Sequence, residues 1–352
     1  MFKMPNAVID LFCGVGGLTH GMQLAGLNVV AGIDFEESCR YAYEQNNDAE
    51  FIQRDITNVS AEEINVLFPI NTTKILVGCA PCQPFSKYTS RYRKKGYKDD
   101  KWRLLYYFSD LIEQIQPEVI AMENVPELRS TDVFSDFVNK LNELNYHVWY
   151  SVVFCPDYGV PQNRKRLVLL ASRLGNIRLI QPTHTPENYV TVRDVIAQLP
   201  AIEAGEHAET DALHTSTQLN EKNILRIQAS VPGGTWRDWP EDLQLSCHKK
   251  DSGTSYSSVY GRMDWDKPSP TITTQFYGYG NGRFGHPEQD RAISLREGAI
   301  LQSFPANYEF IQNNVVANKR KLGIQIGNAV PVELGRAMGV SILNHLEEHE
   351  NV

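Results

Sequence analysis

The sequence is sparing with the features that mark a membrane protein, a disulfide-built scaffold or a general polyanion binder. Its 6 cysteines, at positions 13, 39, 79, 82, 155 and 247, follow no framework spacing. A disulfide scaffold is therefore excluded, and free thiols in a reducing compartment are expected. No apolar run approaches the ~20 residues of a bilayer-spanning helix, and the N-terminus lacks the basic, apolar, small-residue order of a secretory signal. A cytoplasmic protein is the expectation. Positive charge is also short: 34 Lys+Arg against 42 Asp+Glu leave a formal net charge of −8. Any affinity for nucleic acid must then come from local basic patches rather than the global field. Cys79 and Cys82 form a CxxC, but no second CxxC completes a zinc set, so no metal is expected. Internal repeats and low-complexity tracts are absent.

What is present is length and alternation. At 352 residues the chain exceeds the size at which one core stops growing, so two domains are expected. In the first half, short apolar runs alternate with helical patterns, the signature of βαβ units on a parallel sheet. The candidate strands are 7–12, 28–34, 50–55, 74–80, 118–124, 147–153 and 166–172. Leu104, Leu105, Phe108, Leu111, Ile112 and Ile115 recur at helical spacing, and Pro117 stops that helix. Beyond about residue 175 the alternation gives way to Pro, Gly, Ser and Thr clusters, as in a loop-rich domain. The reading is a first domain over 1–180, a second over 181–322, and a segment 323–352 that returns to the first. Its terminal helix starts at Pro331, with Leu334, Met338, Ile342 and Leu346 on one face.

In DLFCGVGGLTHG at 10–21, a strand ends in a glycine turn that opens a helix, which lets backbone approach a ligand closely. Counting GxGxxG from Gly14 through Gly16 puts Thr19 where a dinucleotide fingerprint has its third glycine. A pyrophosphate ligand is therefore disfavoured, whereas S-adenosylmethionine has no phosphate and tolerates the change. Asp34, about twenty residues on, stands where a carboxylate accepts hydrogen bonds from ribose hydroxyls. Phe35 could cover an adenine face, and Asp55 could accept from an exocyclic amine. The plainer alternative is a tight turn with two helix-capping acids.

GCAPCQPFS at 78–86 and ENV at 123–125 each close a strand-like run. Cys82 and Glu123 are thereby expected at neighbouring strand tips, where a thiol and a carboxyl can add to an electron-poor ring and manage its proton. A thioredoxin-type redox pair is the competing reading of CAPC, but such a pair normally sits at a helix start. Here a loop of about twenty residues intervenes. That loop interleaves Lys87, Arg91, Arg93, Lys94, Lys95, Lys98 and Lys101 with Tyr88, Tyr92, Tyr97 and Trp102, and reads as a phosphate-seeking lid. Gly14, Asp34, Asp55, Cys82 and Glu123 all fall at the carboxyl ends of expected strands, the edge on which open α/β sheets bind ligands.

With QNRKR at 162–166, LREGAILQSFP at 295–305 and QIGNAVP at 325–331, six motifs stand in the order seen in DNA (cytosine-5-)-methyltransferases. Nearly the whole chain resembles that family, in its bacterial restriction-modification form. The resemblance implies a Rossmann-like, S-adenosylmethionine-dependent methyltransferase sheet of seven strands, the last antiparallel, with a smaller loop-rich target-recognition domain. It implies that Phe12, the glycine turn, Asp34, Phe35, Asp55, Ile56 and the Asn328 segment surround S-adenosylmethionine. It also implies that Arg164 and Arg166 orient the base or the catalytic carboxyl. Cys79 departs from the glycine or proline more usual at its position, a change not expected to harm catalysis. The expected partners are double-stranded DNA and a companion restriction endonuclease, with the enzyme acting as a monomer.

Sequence choice is expected within about 180–290, where Arg237, Lys249 and Arg283 are candidate DNA contacts beside Ser86, Lys87 and Arg91 of the lid. The alternative for any one of these is loop structure. Arg296 reads as structural support, and His184, His207, His214 and His286, which lack ligand spacing, read as surface or core residues. An RNA cytosine-5 methyltransferase of the same architecture, or a catalytically silent DNA-binding module, are the competing functions. The large recognition region favours DNA, and the intact Cys82, Glu123 and glycine loop favour catalysis.

Overall fold

A computed structural model of the chain describes residues 5–81, 104–248, 250, 257–312 and 315–349. The backbone divides into two compact units. The first comprises Met1–Tyr158, Lys165–Thr183 and Val330–Val352, and the second Gly159–Arg164 and His184–Ala329.

The first unit is a seven-stranded sheet in the order β3-β2-β1-β4-β5-β7-β6. Its strands are β1 Asn6–Leu11, β2 Val29–Asp34, β3 Glu50–Gln53, β4 Thr73–Gly78, β5 Val119–Asn124, β6 His147–Phe154 and β7 Lys165–Ser172. Each expected strand is present, with its end moved by at most two residues. The neighbours among β1 to β5 pair in parallel, while β7 runs antiparallel to both β5 and β6. β5 is buried at all six positions, which is why its sequence is a continuous apolar run up to Glu123 rather than an alternating one. The helix Leu104–Ile115 covers one face with Leu105, Phe108, Leu111, Ile112 and Ile115, the stripe its spacing predicts. Gln116 closes it at φ 51, ahead of Pro117.

The C-terminal helix Val332–His349 lies against the helix Gly17–Leu24. A Cβ at Gly21 would sit 2.4 Å from the Val332 carbonyl oxygen, so the backbones meet where only glycine fits.

The second unit has little regular structure: a two-stranded ribbon of β8 His207–Ala208 and β9 Asp211–Thr215, and short helices at Val192–Ile196, Glu221–Gln228, Leu295–Leu301 and Lys319–Asn328. Two expected boundaries differ from this division. Residues 159–164 belong with the second unit although they precede residue 180. Residues 323–329 also stay there, because Gly323 and Gly327 lie in close contact with Tyr277 and Thr273.

Candidate active site

The strand order reverses between β1 and β4, and the crevice at the carboxyl ends of those strands is where open α/β sheets take ligands. The glycine turn follows β1 and the CAPC segment follows β4. Gly14 at φ 51 and Gly16 at φ 86 take left-handed conformations, and Phe12, at φ 61, shares this backbone although it carries a side chain. A Cβ built on Gly14 would meet nothing within 4 Å, so the turn is open on its ligand side. Asp34, the last residue of β2, accepts from the Gly14 N–H at 2.9 Å through Oδ2 and from the Glu36 N–H at 2.9 Å through Oδ1. Burial raises its pKa, against those two backbone donors. Phe35 beside it is 65% exposed, an unusual setting for a phenyl ring and a ready surface for a flat ligand. Asp55 caps the turn Ile56–Asn58 by accepting from the Thr57 N–H and hydroxyl, while Ile56 is buried.

Asp10, inside β1, escaped the sequence reading. It accepts from Thr19 Oγ1 at 2.7 Å, and the Thr19 hydroxyl also meets Tyr43 Oη at 3.1 Å. Thr19 thus occupies the third-glycine position because its hydroxyl ties the helix to the strand. Burial pushes Asp10 up to about 7 despite the Thr19 hydrogen bond, with Asp34 adding to the rise. An acid within the apolar run AVIDLF was the available signal.

ENV works as a clamp. Asn124 Nδ2 donates to the Ala80 carbonyl at 2.9 Å, and its Oδ1 accepts from the Val125 N–H at 2.8 Å. The backbone two residues before Cys82 is therefore fixed from β5. Glu123, 2% exposed, has Arg166 Nε of β7 at 2.6 Å from Oε1 and the Cys79 thiol at 3.0 Å from Oε2. A carboxylate this buried requires such partners. Cys82 itself lies outside the described residues, as do Ser86, Lys87, Arg91 and the rest of the expected lid, and Lys249.

Arg164 and Arg166 part company. Arg166 is on the Glu123 carboxyl. Arg164 is buried in the second unit, where its Nη atoms donate to Gln162 Oε1, the Ile272 carbonyl and the Gly327 carbonyl. These bonds brace the loops of its own unit. Gln162 Nε2 also donates to Gln302 Oε1 at 2.9 Å, and Gln302 Nε2 to the Ile326 carbonyl at 2.8 Å. Three motifs remote in sequence are thereby joined by amide side chains, and Asn328, inside the last of them, is exposed at the close of the helix Lys319–Asn328.

Arg283 is half-buried, with its guanidinium donating to the Gly234 carbonyl, a contact that supports the loop. Burial lowers its pKa. Arg237 is exposed, its guanidinium carbon 4.8 Å from the Trp236 ring centroid. Arg296 does support the unit, gripping Asp211 with Nε and Nη2 and the Tyr308 carbonyl with Nη1. His214 and His286 are core residues. The sequence reading also passed over HLEEH at 345–349, whose His345, Glu348 and His349 cluster on the C-terminal helix. There His345 Nε2 pairs with Ser172 Oγ, and His349 Nδ1 with the His345 carbonyl, giving both rings structural partners.

Residues 6–344 match the model of the C-5 cytosine-specific DNA methylases. The chain belongs to that family. It is similar to the type II methylase M.HgiDII of Herpetosiphon aurantiacus, 59% identical over 98% of this chain and 97% of that protein. It is also similar to the type II methyltransferase M1.HphI of Haemophilus parahaemolyticus, 31% identical over 97% and 88% of the two chains. Among solved structures, a protein assigned as a DNA modification methyltransferase of an Escherichia coli prophage superposes with a TM-score of 0.72, at 22% identity over 97% of this chain and 99% of that one. The Schizosaccharomyces pombe Dnmt2 methyltransferase follows the same fold, with a TM-score of 0.59 at 16% identity over 99% and 100%. The methylase is accordingly an S-adenosylmethionine-dependent enzyme that modifies carbon 5 of cytosine in DNA. No helix among its described residues is long and apolar enough to cross a membrane.

Proposed function

We propose that this methylase acts on a cytosine flipped out of a specific duplex DNA sequence, through a covalent adduct between Cys82 and carbon 6 of the base. The observation that carries the proposal is the ENV clamp: Glu123 is paired on both oxygens, while Asn124 fixes the backbone leading to Cys82.

The first unit fits the methyl donor. The open face of Gly14, the Asp34 carboxylate with lone pairs beyond those taken by two N–H groups, and the exposed Phe35 ring suit a nucleoside without phosphate. Gly14, Gly16 and Phe12 would face the donor, Asp34 its ribose, Phe35 and Ile56 its adenine, and Asp55 its exocyclic amine. When bound, S-adenosylmethionine supplies an electrophilic methyl group.

Carbon 5 of cytosine is a poor nucleophile until electrons enter the ring. The Cys82 thiolate supplies them by forming a bond to carbon 6, and Glu123 meets N3 and the amino group, stabilising the protonated adduct. Arg166 holds Glu123 in place for this contact. Carbon 5 of the resulting enamine takes the methyl group. A base then takes the carbon 5 proton, the electrons of that bond form the 5,6 double bond, and the thiolate of Cys82 leaves with the carbon–sulfur pair, which restores aromaticity. Neither face of the ring is open within a duplex, so the base must be extruded at a cost of a few kcal/mol. The names of the type II relatives support a role in protecting DNA from a companion restriction endonuclease. In this reading the enzyme works in the cytoplasm as a monomer, and the second unit, with Arg237 on its surface, chooses the target.

The test is transfer of labelled methyl to duplex DNA, with transfer RNA as the competing acceptor and bisulfite sequencing of the product. Cys82→Ala should abolish transfer while S-adenosylmethionine binding survives. Turnover retained by that variant would overturn the adduct mechanism, and preferential labelling of transfer RNA would overturn the choice of substrate.

A further inference from the structure

Glu123 must present one carboxylate plane to the cytosine edge, yet the terminal torsion of a glutamate side chain is broad and roughly two-fold. Arg166, through its Nε on Oε1, balances the buried charge but contacts a single oxygen. The second contact comes from Cys79. In the parallel register Gly78 stands beside Met122, so the next residues along, Cys79 and Glu123, emerge side by side. The Cys79 backbone N–H is bonded to the Leu11 carbonyl at 3.3 Å, which anchors the residue at the end of β1. From there its thiol reaches Glu123 Oε2 at 3.0 Å. We propose that Cys79 is a positioning residue: its S–H donates to Glu123 Oε2 and, with Arg166 on Oε1, holds the carboxylate in the plane where N3 and the amino group of the extruded cytosine are met.

The inference rests on the reading of Glu123 as the base-contacting acid. It requires a donor at residue 79, not merely bulk. A thiol is a weak donor and a hydroxyl a stronger one, whereas a methyl or isopropyl group offers none. Misplacing a reacting group slows the reaction by more than the strength of one S–H hydrogen bond would suggest, so an effect of about ten-fold on kcat is expected.

The test compares Cys79→Ser, Cys79→Ala and Cys79→Val with the parent and with Glu123→Gln. Labelled methyl transfer to unmethylated plasmid DNA is measured alongside binding of S-adenosylmethionine, which confirms that each variant is folded. The alanine and valine variants should lose about ten-fold in kcat, with KM for DNA and for S-adenosylmethionine held within about two-fold, and serine should restore most of the turnover. A valine variant with parental kcat, or a serine variant as slow as alanine, would overturn the proposal. Should Glu123→Gln remain active, the reading of Glu123 itself fails. An inactive Glu123→Gln beside a fully active Cys79→Ala removes the positioning role alone.

Discussion

In the sheet unit, apolar side chains fill the space against ladder-bonded strands, and among the described residues the buried acids are Asp10 and Glu123, both on strands that end at the site. In the second unit, five arginines, Arg164, Arg226, Arg262, Arg291 and Arg296, are each no more than 7% exposed. They do there what ladders do in the sheet. Arg262 alone donates to the carbonyls of Ile227, Ser230, His286 and Gln289 and grips Asp290. A loop-rich unit leaves many buried carbonyls without strand partners, and a guanidinium with five donors can satisfy several at once. The contrast shows two ways of closing a core: an apolar surface whose backbone is satisfied locally, and irregular backbone whose polar groups are gathered by long cationic side chains.

The sharpest break of that contrast is at Arg291, which pairs with both Glu297 oxygens at 2.8 Å and also donates to the Ile202 and Ala292 carbonyls. Arg291→Met should cost about 3–5 kcal/mol by stranding a buried carboxylate. Adding Glu297→Leu removes that charge, yet stability should return only in part, because two carbonyls remain unpaired. Full recovery of the urea midpoint in the double variant would mean that the network is an ion pair and nothing more. The sheet unit should answer to volume instead. Leu169→Ala, at a fully buried position of β7, should cost about 2–5 kcal/mol, and Leu169→Met below about 1.5 kcal/mol, read from the same unfolding curves.

The smallest effect is on pH dependence. Burial brings His286 of the second unit and His345 of the sheet unit down to about 4. For both, the unfolded chain binds its proton first, so stability falls as pH drops from about 6.5 and that contribution is fully lost below about 4. Each histidine should contribute a loss on the order of 1–2 kcal/mol between pH 7 and 5, and His286→Gln should remove its share. The second unit has a further acid window at a buried carboxyl, Glu297. Burial would raise Glu297, but Arg291 outweighs it and holds the carboxyl at about 2. That stabilisation is present above about 4.5 and disappears as pH falls toward 2. Unfolding curves that fall in parallel for the two units below pH 4 would erase this difference between them.

The same contrast explains what could be read in advance. Inner strands such as β4 and β5 were legible because a buried strand is a near-continuous apolar run that ends where the glycines, prolines and acids begin, and the edge strands β3 and β6 by their aromatic and β-branched residues. The second unit offered no period to read, since donation from arginine to carbonyl leaves no spacing in the sequence. Arg164 and Arg166 show the limit at a single residue pair. The family resemblance implied one task for both, but the chain passes from one unit to the other between Arg164 and Lys165. Cys79 was visible as a departure from the family pattern, and its partner was not.

By itself the sequence determined the sheet, the glycine turn, the ENV motif and, through six ordered motifs, the reaction class, because apolar periodicity and chemically demanding residues are local properties of the chain. Only the tertiary structure decided which side chains hold Glu123, why Thr19 replaces a glycine, and which arginines are braces. Those are pairings between residues far apart along the chain, and distance along a chain says nothing about direction in space until the strands are laid side by side.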